Sequence, residues 1–356
     1  MKRKWRYAIY ILLFLLMPKL CVQATDEQEE VQEEAPQDDN STDDTDDAVN
    51  DDAAAAGGEE APAEEAAAED DEELLIAEEE PDPFESFSEG REGDTVLIGE
   101  RRIPLNAVKL NLSGLNVSGY DMDALFSHMP NLKYVEMIGC GLSNDGYAEL
   151  QDKHPGIRIL WEIRYATRVL RTDAVGWSTF RGMHGPMDLP MSDADTKYLK
   201  YCRDLIAVDL GHNTIRDISF VQYMPNLQIF IAVDNGGLWD LSVLKYCPQL
   251  RYIEIFVNRV SDLSVFRYMH QLEDVNISYN PIRSNEYLKD LPHLEKLWLE
   301  ATLIPGDQVQ ELRQLYPNAM IVNVGSGSVD QGWRWGSHYT GMRDLVWKNE
   351  PNDVYH

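Results

Sequence analysis

One stretch of this 356-residue chain constrains its fold more than any other. Between residues 204 and 317 a single pattern is written five times, in units 204–225, 226–248, 249–270, 271–292 and 293–317. Each unit opens with a leucine, a gap of two, an apolar residue, a gap of one and another apolar residue. The sets are Leu205/Val208/Leu210, Leu227/Phe230/Ala232, Leu250/Ile253/Ile255, Leu272/Val275/Ile277 and Leu294/Leu297/Leu299. Three residues further on stand Asn213, Asn235, Asn258 and Asn280, with Thr302 in the fifth unit. Self-similarity at a fixed short period means one supersecondary unit that stacks on its own copies.

The physics of one unit predicts its shape. Apolar residues two apart share one face of a short strand. A lone strand cannot bury that face, but parallel strands roughly 4.8 Å apart merge their faces into one core. The Asn falls where the chain leaves the strand. Its amide has two donors and an acceptor, and it can satisfy backbone groups that the sheet no longer pairs. A buried Asn is costly unless bonded, so Asn at one register predicts a ladder. The return leg is too short for a long helix. Asp217-Ile218-Ser219, Asp240-Leu241-Ser242 and Asp262-Leu263-Ser264 share a register, and Asp ahead of an apolar residue reads as the cap of a brief helical or 3₁₀ turn.

These residues resemble the leucine-rich repeat, and the segments Asn213-Thr214-Ile215-Arg216-Asp217-Ile218-Ser219 and Asn258-Arg259-Val260-Ser261-Asp262-Leu263-Ser264 resemble its 22-residue, internalin-type bacterial form. The resemblance implies an α/β solenoid, a horseshoe with a parallel sheet on the concave face and short helical or 3₁₀ legs on the convex face. It also implies a secreted or cell-surface, protein-binding role. The fifth unit departs from it, with Thr302 for Asn, Pro305-Gly306 for the Asp turn, and a longer helical leg.

The remaining chain is organised around that solenoid. Residues 1–24 read as a secretory signal: Lys2, Arg3, Lys4 and Arg6, an apolar run over 8–17, then Val22-Gln23-Ala24 before a cleavage point. The rivals are lipidation at Cys21 and retention as an uncleaved anchor, which is the sole membrane association expected. Residues 25–82 hold 27 Asp or Glu and no Lys or Arg, a composition that cannot bury enough surface to offset chain entropy and predicts an acidic disordered spacer. The leader contributes +5 and the spacer −27 to the total of −31, which leaves −9 on residues 83–356. No basic patch suggests nucleic acid.

Residues 83–106 are expected to cap the solenoid, with a hairpin turn at Gly99-Glu100. The repeats should fill 107–324, two of them, 107–130 and 131–155, preceding the main run and ending in helical legs over 120–128 and 145–153. Cys140 takes the Asn register in the second of these. The period breaks over 156–203. An insertion is expected at about 164–192, projecting as a ribbon or loop and followed by a capping box at Ser192 that opens a helix to Cys202. This stretch resembles interrupted repeats of secreted bacterial leucine-rich proteins. After the last strand, 320–324, an aromatic-rich tail (325–356) with Trp333, Trp335, Tyr339, Met342, Leu345 and Trp347 reads as a C-terminal cap over the end of the core. Cys202 and Cys247 sit in a buried apolar register two repeats apart, beyond disulfide reach, so the mature chain should hold three free thiols.

Catalytic patterns are not found: H-E-x-x-H, G-x-S-x-G and a phosphate loop do not occur. Met183, His184, Met187 and Met191 could hold soft Cu(I), but Met packing is the simpler use. No metal, cofactor or enzymatic activity is expected. The informative positions are those between the core residues of each strand. One row reads Ala207, Ile229, Tyr252, Asp274, Lys296. The next reads Asp209, Ile231, Glu254, Asn276, Trp298, and the third Gly211, Val233, Phe256, Ser278, Glu300. Repeat structure does not require aromatics there, and contiguous exposed apolar groups mark interaction sites. Ile229, Ile231, Val233, Tyr252, Glu254, Phe256, Asp274, Asn276 and Trp298 are therefore the expected ligand-binding face. A covering by the insertion or the tail is the alternative. The expected function is non-enzymatic protein binding or adhesion. The alternatives are a structural cell-surface component or a binder of cell-wall glycan or peptide.

Overall fold

A computed structural model describes residues 94–165, 168–179, 190–325 and 332–348. The leader, the acidic stretch and most of the Met-rich loop lie outside the described residues. At the amino-terminal end, β1 (Thr95–Ile98) and β2 (Arg101–Pro104) form an antiparallel hairpin. Its turn residue Gly99 has φ +60 and donates its N–H to the Tyr120 hydroxyl at 2.8 Å. Val96, Ile98 and Ile103 are buried and join the core cluster.

A three-stranded parallel sheet follows, β3 (Lys109–Asn111), β4 (Tyr134–Glu136) and β5 (Arg158–Leu160). Its return legs are α1 (Met122–Ser127) and α2 (Asn144–Lys153). Asp121 Oδ1 and Ser143 Oγ accept the Ala124 and Gly146 N–H groups, the N-cap bonds that start each helix.

The break in period is resolved differently from the expectation. β6 (Glu162–Tyr165) and β7 (Arg168–Arg171) do form an antiparallel ribbon. The chain then returns as β8 (Gly176–Ser178), which pairs in parallel with β9 (Ala207–Asp209) and is the edge strand of the main sheet. The reason is burial: Ala174 and Trp177 are 4 % and 3 % exposed, and a Trp at that position is too apolar to project into solvent. α3 (Asp193–Thr196) and a 3₁₀ turn (Leu199–Tyr201) replace a continuous helix to Cys202. The Asp195 carboxylate does reach back to accept the Ser192 N–H and hydroxyl, both at 2.8 Å.

The main sheet runs β8, β9, β10 (Ile229–Ile231), β11 (Tyr252–Glu254), β12 (Asp274–Asn276), β13 (Lys296–Trp298) and β14 (Met320–Val322), seven parallel strands in sequence order. The return legs are 3₁₀ turns Ser219–Tyr223, Ser242–Tyr246, Ser264–Tyr268 and Glu286–Leu288, then α4 (Gly306–Leu315). Asp217, Asp240 and Asp262 each accept the N–H two residues on, at 2.7–2.8 Å.

The Asn ladder is present. Asn258 donates to the carbonyls of Ala232 (2.7 Å) and Ile255 (2.9 Å), and its oxygen accepts the Asn235 N–H (3.2 Å). Asn235 and Asn280 repeat the bonds to the strand-end carbonyls before them. At the same register the Cys140 thiol donates to Leu112 O at 3.0 Å and Thr302 Oγ1 to Leu299 O at 2.9 Å. One feature of the turn goes unforeseen in the sequence. The residue before each ladder position is left-handed: Gly139, His212, Asp234, Val257, Tyr279 and Ala301 have φ between +49 and +68. Cys140, Cys202 and Cys247 are buried free thiols. Burial holds the Cys140 thiol up at about 11 and Cys247 at about 12.

Candidate functional site

The strand residues that point away from the core form rows in register. Ala207, Ile229, Tyr252, Asp274 and Lys296 are successive partners, as are Asp209, Ile231, Glu254, Asn276 and Trp298. The alignment matches the sequence reading. The exposure expected of it does not. Ile229, Tyr252, Glu254, Asp274, Asn276 and Trp298 are 0 % exposed, Ile231 and Val233 1 %, and Phe256 4 %. The face is covered by the chain's own carboxyl-terminal segment, a 3₁₀ turn Trp333–Trp335 and α5 (Ser337–Lys348). Apolar rings on that face are more stable against another apolar surface than in water, and Trp333 supplies it. A cap over the open end of the core is the expectation for the tail. Its covering of this face is the alternative that the rows left open, and the structure has that alternative. Trp333 joins Ala207, Ile229, Ile231, Val233, Tyr252, Phe256, Trp298 and Val322 in a second apolar cluster on the other side of the sheet.

Trp333, Arg334, His338 and Tyr339 are the described side chains of the segment that bear on the face. The Trp333 ring sits between Tyr252 (centroids 5.2 Å) and Trp298 (5.0 Å). The Arg334 guanidinium donates to Glu254 Oε1 at 2.8 Å, and the Tyr252 hydroxyl donates to Glu254 Oε2 at 2.8 Å. Tyr339 lies over the same guanidinium at 5.1 Å. The His338 ring bridges two carboxylates, Nε2 to Glu273 Oε2 at 2.8 Å and Nδ1 to Asp274 Oδ2 at 3.1 Å. Lys296 Nζ shares Asp274 Oδ2 at 3.1 Å, and Arg251 holds Glu273 Oε1 at 2.6 Å.

The electrostatics follow from these pairs. Hydrogen bonds to Asp274 and then Glu273 raise His338 to about 9, against the cost of burial, so the ring is an imidazolium at neutral pH. Burial pushes Glu273 up, but His338 and Arg251 outweigh it and its carboxyl is held low. Burial opposes the charge on Arg334, and Glu254 more than restores it. Asp209 is raised by burial, although it accepts from Gly211 N–H (3.0 Å) and Ser178 Oγ (2.9 Å).

Asp274, Glu295 and His338 offer three atoms within 4.8 Å of one another, a spacing open to a metal ion. Both ring nitrogens of His338 already face carboxylates, and the Lys296 ammonium occupies the Asp274 oxygen. The cluster is thus an ion-pair network with its positive charge already in place. Of the Met/His loop only Met191 is described, and it is buried in the core. A polar hollow of about 300 Å³ beside Gly139, Gly141, Leu142, Tyr147, Glu162 and Arg164 lies in the first repeats. Trp333, Arg334 and His338 are the residues that sequence reasoning did not assign to the face. The signal was there in Glu254, a carboxylate set between Ile231 and Asn276 in its row with no cation beside it, which requires one from elsewhere in the chain.

No family model matches this chain. A 68-residue stretch is 45 % identical to cilia- and flagella-associated protein 410 of Mus musculus, 18 % of this chain and 27 % of that protein. The chain thus spans about a quarter of the length of the curated relative it matches. Among solved structures it is similar to an internalin (inlF) from Listeria monocytogenes, at 16 % identity over 59 % of this chain and 67 % of that one, with a TM-score of 0.31. An internalin C2 from the same species gives 13 % identity, 48 % and 83 % coverage, and a TM-score of 0.34. The class is defined by the chain's own geometry: parallel strands in sequence order, an Asn ladder and 3₁₀ return turns make it a leucine-rich-repeat solenoid.

Proposed function

We propose that the protein is an extracellular, non-enzymatic binding module that takes a protein partner on the strand face carrying Tyr252, Glu254, Asp274 and Trp298. The observation that carries this reading is that the face already holds a peptide segment, through an indole slot and two carboxylate-bound cations. Aromatic anchors ringed by polar groups are the composition of binding hot spots. Export rests on the leader-like residues 1–24, and the acidic residues 25–82 that follow them read as a spacer. Among the described residues no helix is long and apolar enough to cross a membrane. The test is site-specific photo-cross-linking on intact producing cells. A cross-linker at Lys296, on the edge of the face, should capture a discrete protein band, and one at Asp290, on the return leg, should not. Equal capture from both positions would move the site off the sheet.

A further inference from the structure

The face and its occupant fit in charge but not in full. Asp209, Glu254, Glu273, Asp274 and Glu300 are carboxylates of the face, and Arg251 and Lys296 are cations on it. Without the carboxyl-terminal segment the face is net negative around an aromatic centre, so any occupant must bring positive charge. The resident segment does, through Arg334 and His338. Its fit leaves polar atoms stranded. Among the described residues the indole N–H groups of Trp298 and Trp333, Arg334 Nε and Asp274 Oδ1 are buried without a hydrogen-bond partner. Such groups carry the full cost of desolvation, and a ligand that satisfied the two on the face, Trp298 Nε1 and Asp274 Oδ1, would bind the same slots better.

We propose that this face recognises a cationic–aromatic peptide segment of a partner protein, and that residues 332–348 are the internal occupant such a segment replaces. The segment carries an aryl ring followed directly by an arginine, with a second cation about one helical turn later. The inference rests on the reading that the sheet face is the binding surface, and it names the chemistry of the partner. The ring enters between Tyr252 and Trp298, the arginine meets Glu254, and the second cation lies between Glu273 and Asp274. A tethered occupant works at an effective concentration on the order of millimolar, so an external segment binds weakly until the resident one is loosened.

The probe is a fluorescent peptide of residues 332–348, titrated into the full-length chain and followed by anisotropy. Wild type should bind it weakly. Arg334→Glu places a carboxylate against Glu254, expels the resident segment and should tighten the probe by at least about tenfold, because a buried charge pair is broken in the competitor and kept in the probe. Adding Glu254→Arg to that variant restores the internal pair in reverse, repels the probe's arginine and should abolish the gain. Trp333→Ala loosens the occupant without new charge and should also tighten the probe, which covers the case in which Arg334→Glu does not fold by circular dichroism. No gain in either folded variant, or a gain that survives Glu254→Arg, overturns the proposal. So does a wild-type dimer formed by exchange of tails, since the occupant would then be a second copy. If cross-linking at Lys296 still captures a partner while the probe fails, only the named chemistry falls. If both fail, the binding face itself is wrong.

Discussion

Asn258→Ala tests whether the ladder holds the solenoid together. Asn258 is 8 % exposed. Its amide donates to Ala232 O at 2.7 Å and Ile255 O at 2.9 Å, and its oxygen accepts the Asn235 N–H at 3.2 Å. Ile255 O keeps the Asn280 amide at 2.9 Å. Ala232 O and the Asn235 N–H lose the partners described here. A buried polar group left unsatisfied costs about 1–3 kcal/mol, so two cost about 2–6 kcal/mol. A water entering the vacated volume would recover part, which puts the expectation near 3 kcal/mol. For a unit this large that corresponds to a fall in Tm of roughly 6–12 °C. The comparison is Thr302→Ala, where a single hydroxyl bond to Leu299 O is lost and about 1 kcal/mol is expected. Urea and thermal melts by circular dichroism measure both. A loss below about 0.5 kcal/mol for Asn258→Ala, the range of surface substitutions, would refute the ladder as a stabilising element.

Trp298→Ala should cost about 3–5 kcal/mol, as for a buried aromatic, because the ring is 0 % exposed beneath Trp333; an unchanged melt would mean that the tail does not cover it. Ala301→Gly should stabilise by about 0.5–1 kcal/mol, since an exposed Ala at φ +50 is strained and Gly is not; a fall in Tm would contradict the left-handed turn. His338 is raised to about 9 from its ordinary 6.5, so its contribution is complete below about pH 6.5 and is lost as pH rises through about 9. Glu273 is held low, and its share is lost instead as pH falls through its lowered value. Wild type should therefore lose stability relative to His338→Gln between pH 6.5 and 9, read from urea midpoints, and parallel curves would reject the bridge. Thiol titration of denatured protein lacking residues 1–24 should find Cys140, Cys202 and Cys247 free; a mass two hydrogens short would contradict this.

Core and rows were legible in the sequence for one reason: a repeat writes the same physical demand several times. Leu205, Leu227, Leu250, Leu272 and Leu294 share a register, and all are buried. The Asn positions and the Asp turns were legible for the same reason. The left-handed residues were not. His212, Asp234, Val257, Tyr279 and Ala301 share no side-chain chemistry. The backbone is forced there by the turn and the ladder bond that follows it, and only Gly139 announces the conformation by its type. The strand β8 was missed because a single copy of Val175-Gly176-Trp177-Ser178 carries no repeat around it.

The face shows where pattern reading ends. Register told which residues share the second side of the sheet, and that part stands. Whether that side meets water depends on a contact between residues 80 apart, Glu254 and Arg334, and no periodicity encodes it. The composition of the rows did contain the contradiction. Glu254 and Asp274 lie beside Tyr252, Ile229 and Ile231, and such a surface is stable neither as an exposed apolar patch nor as a dry core without counter-charges. It calls for an occupant that is aromatic and cationic together. The segment Trp333-Arg334 through His338 meets that demand within the same chain, and any partner that uses this face has to meet it better.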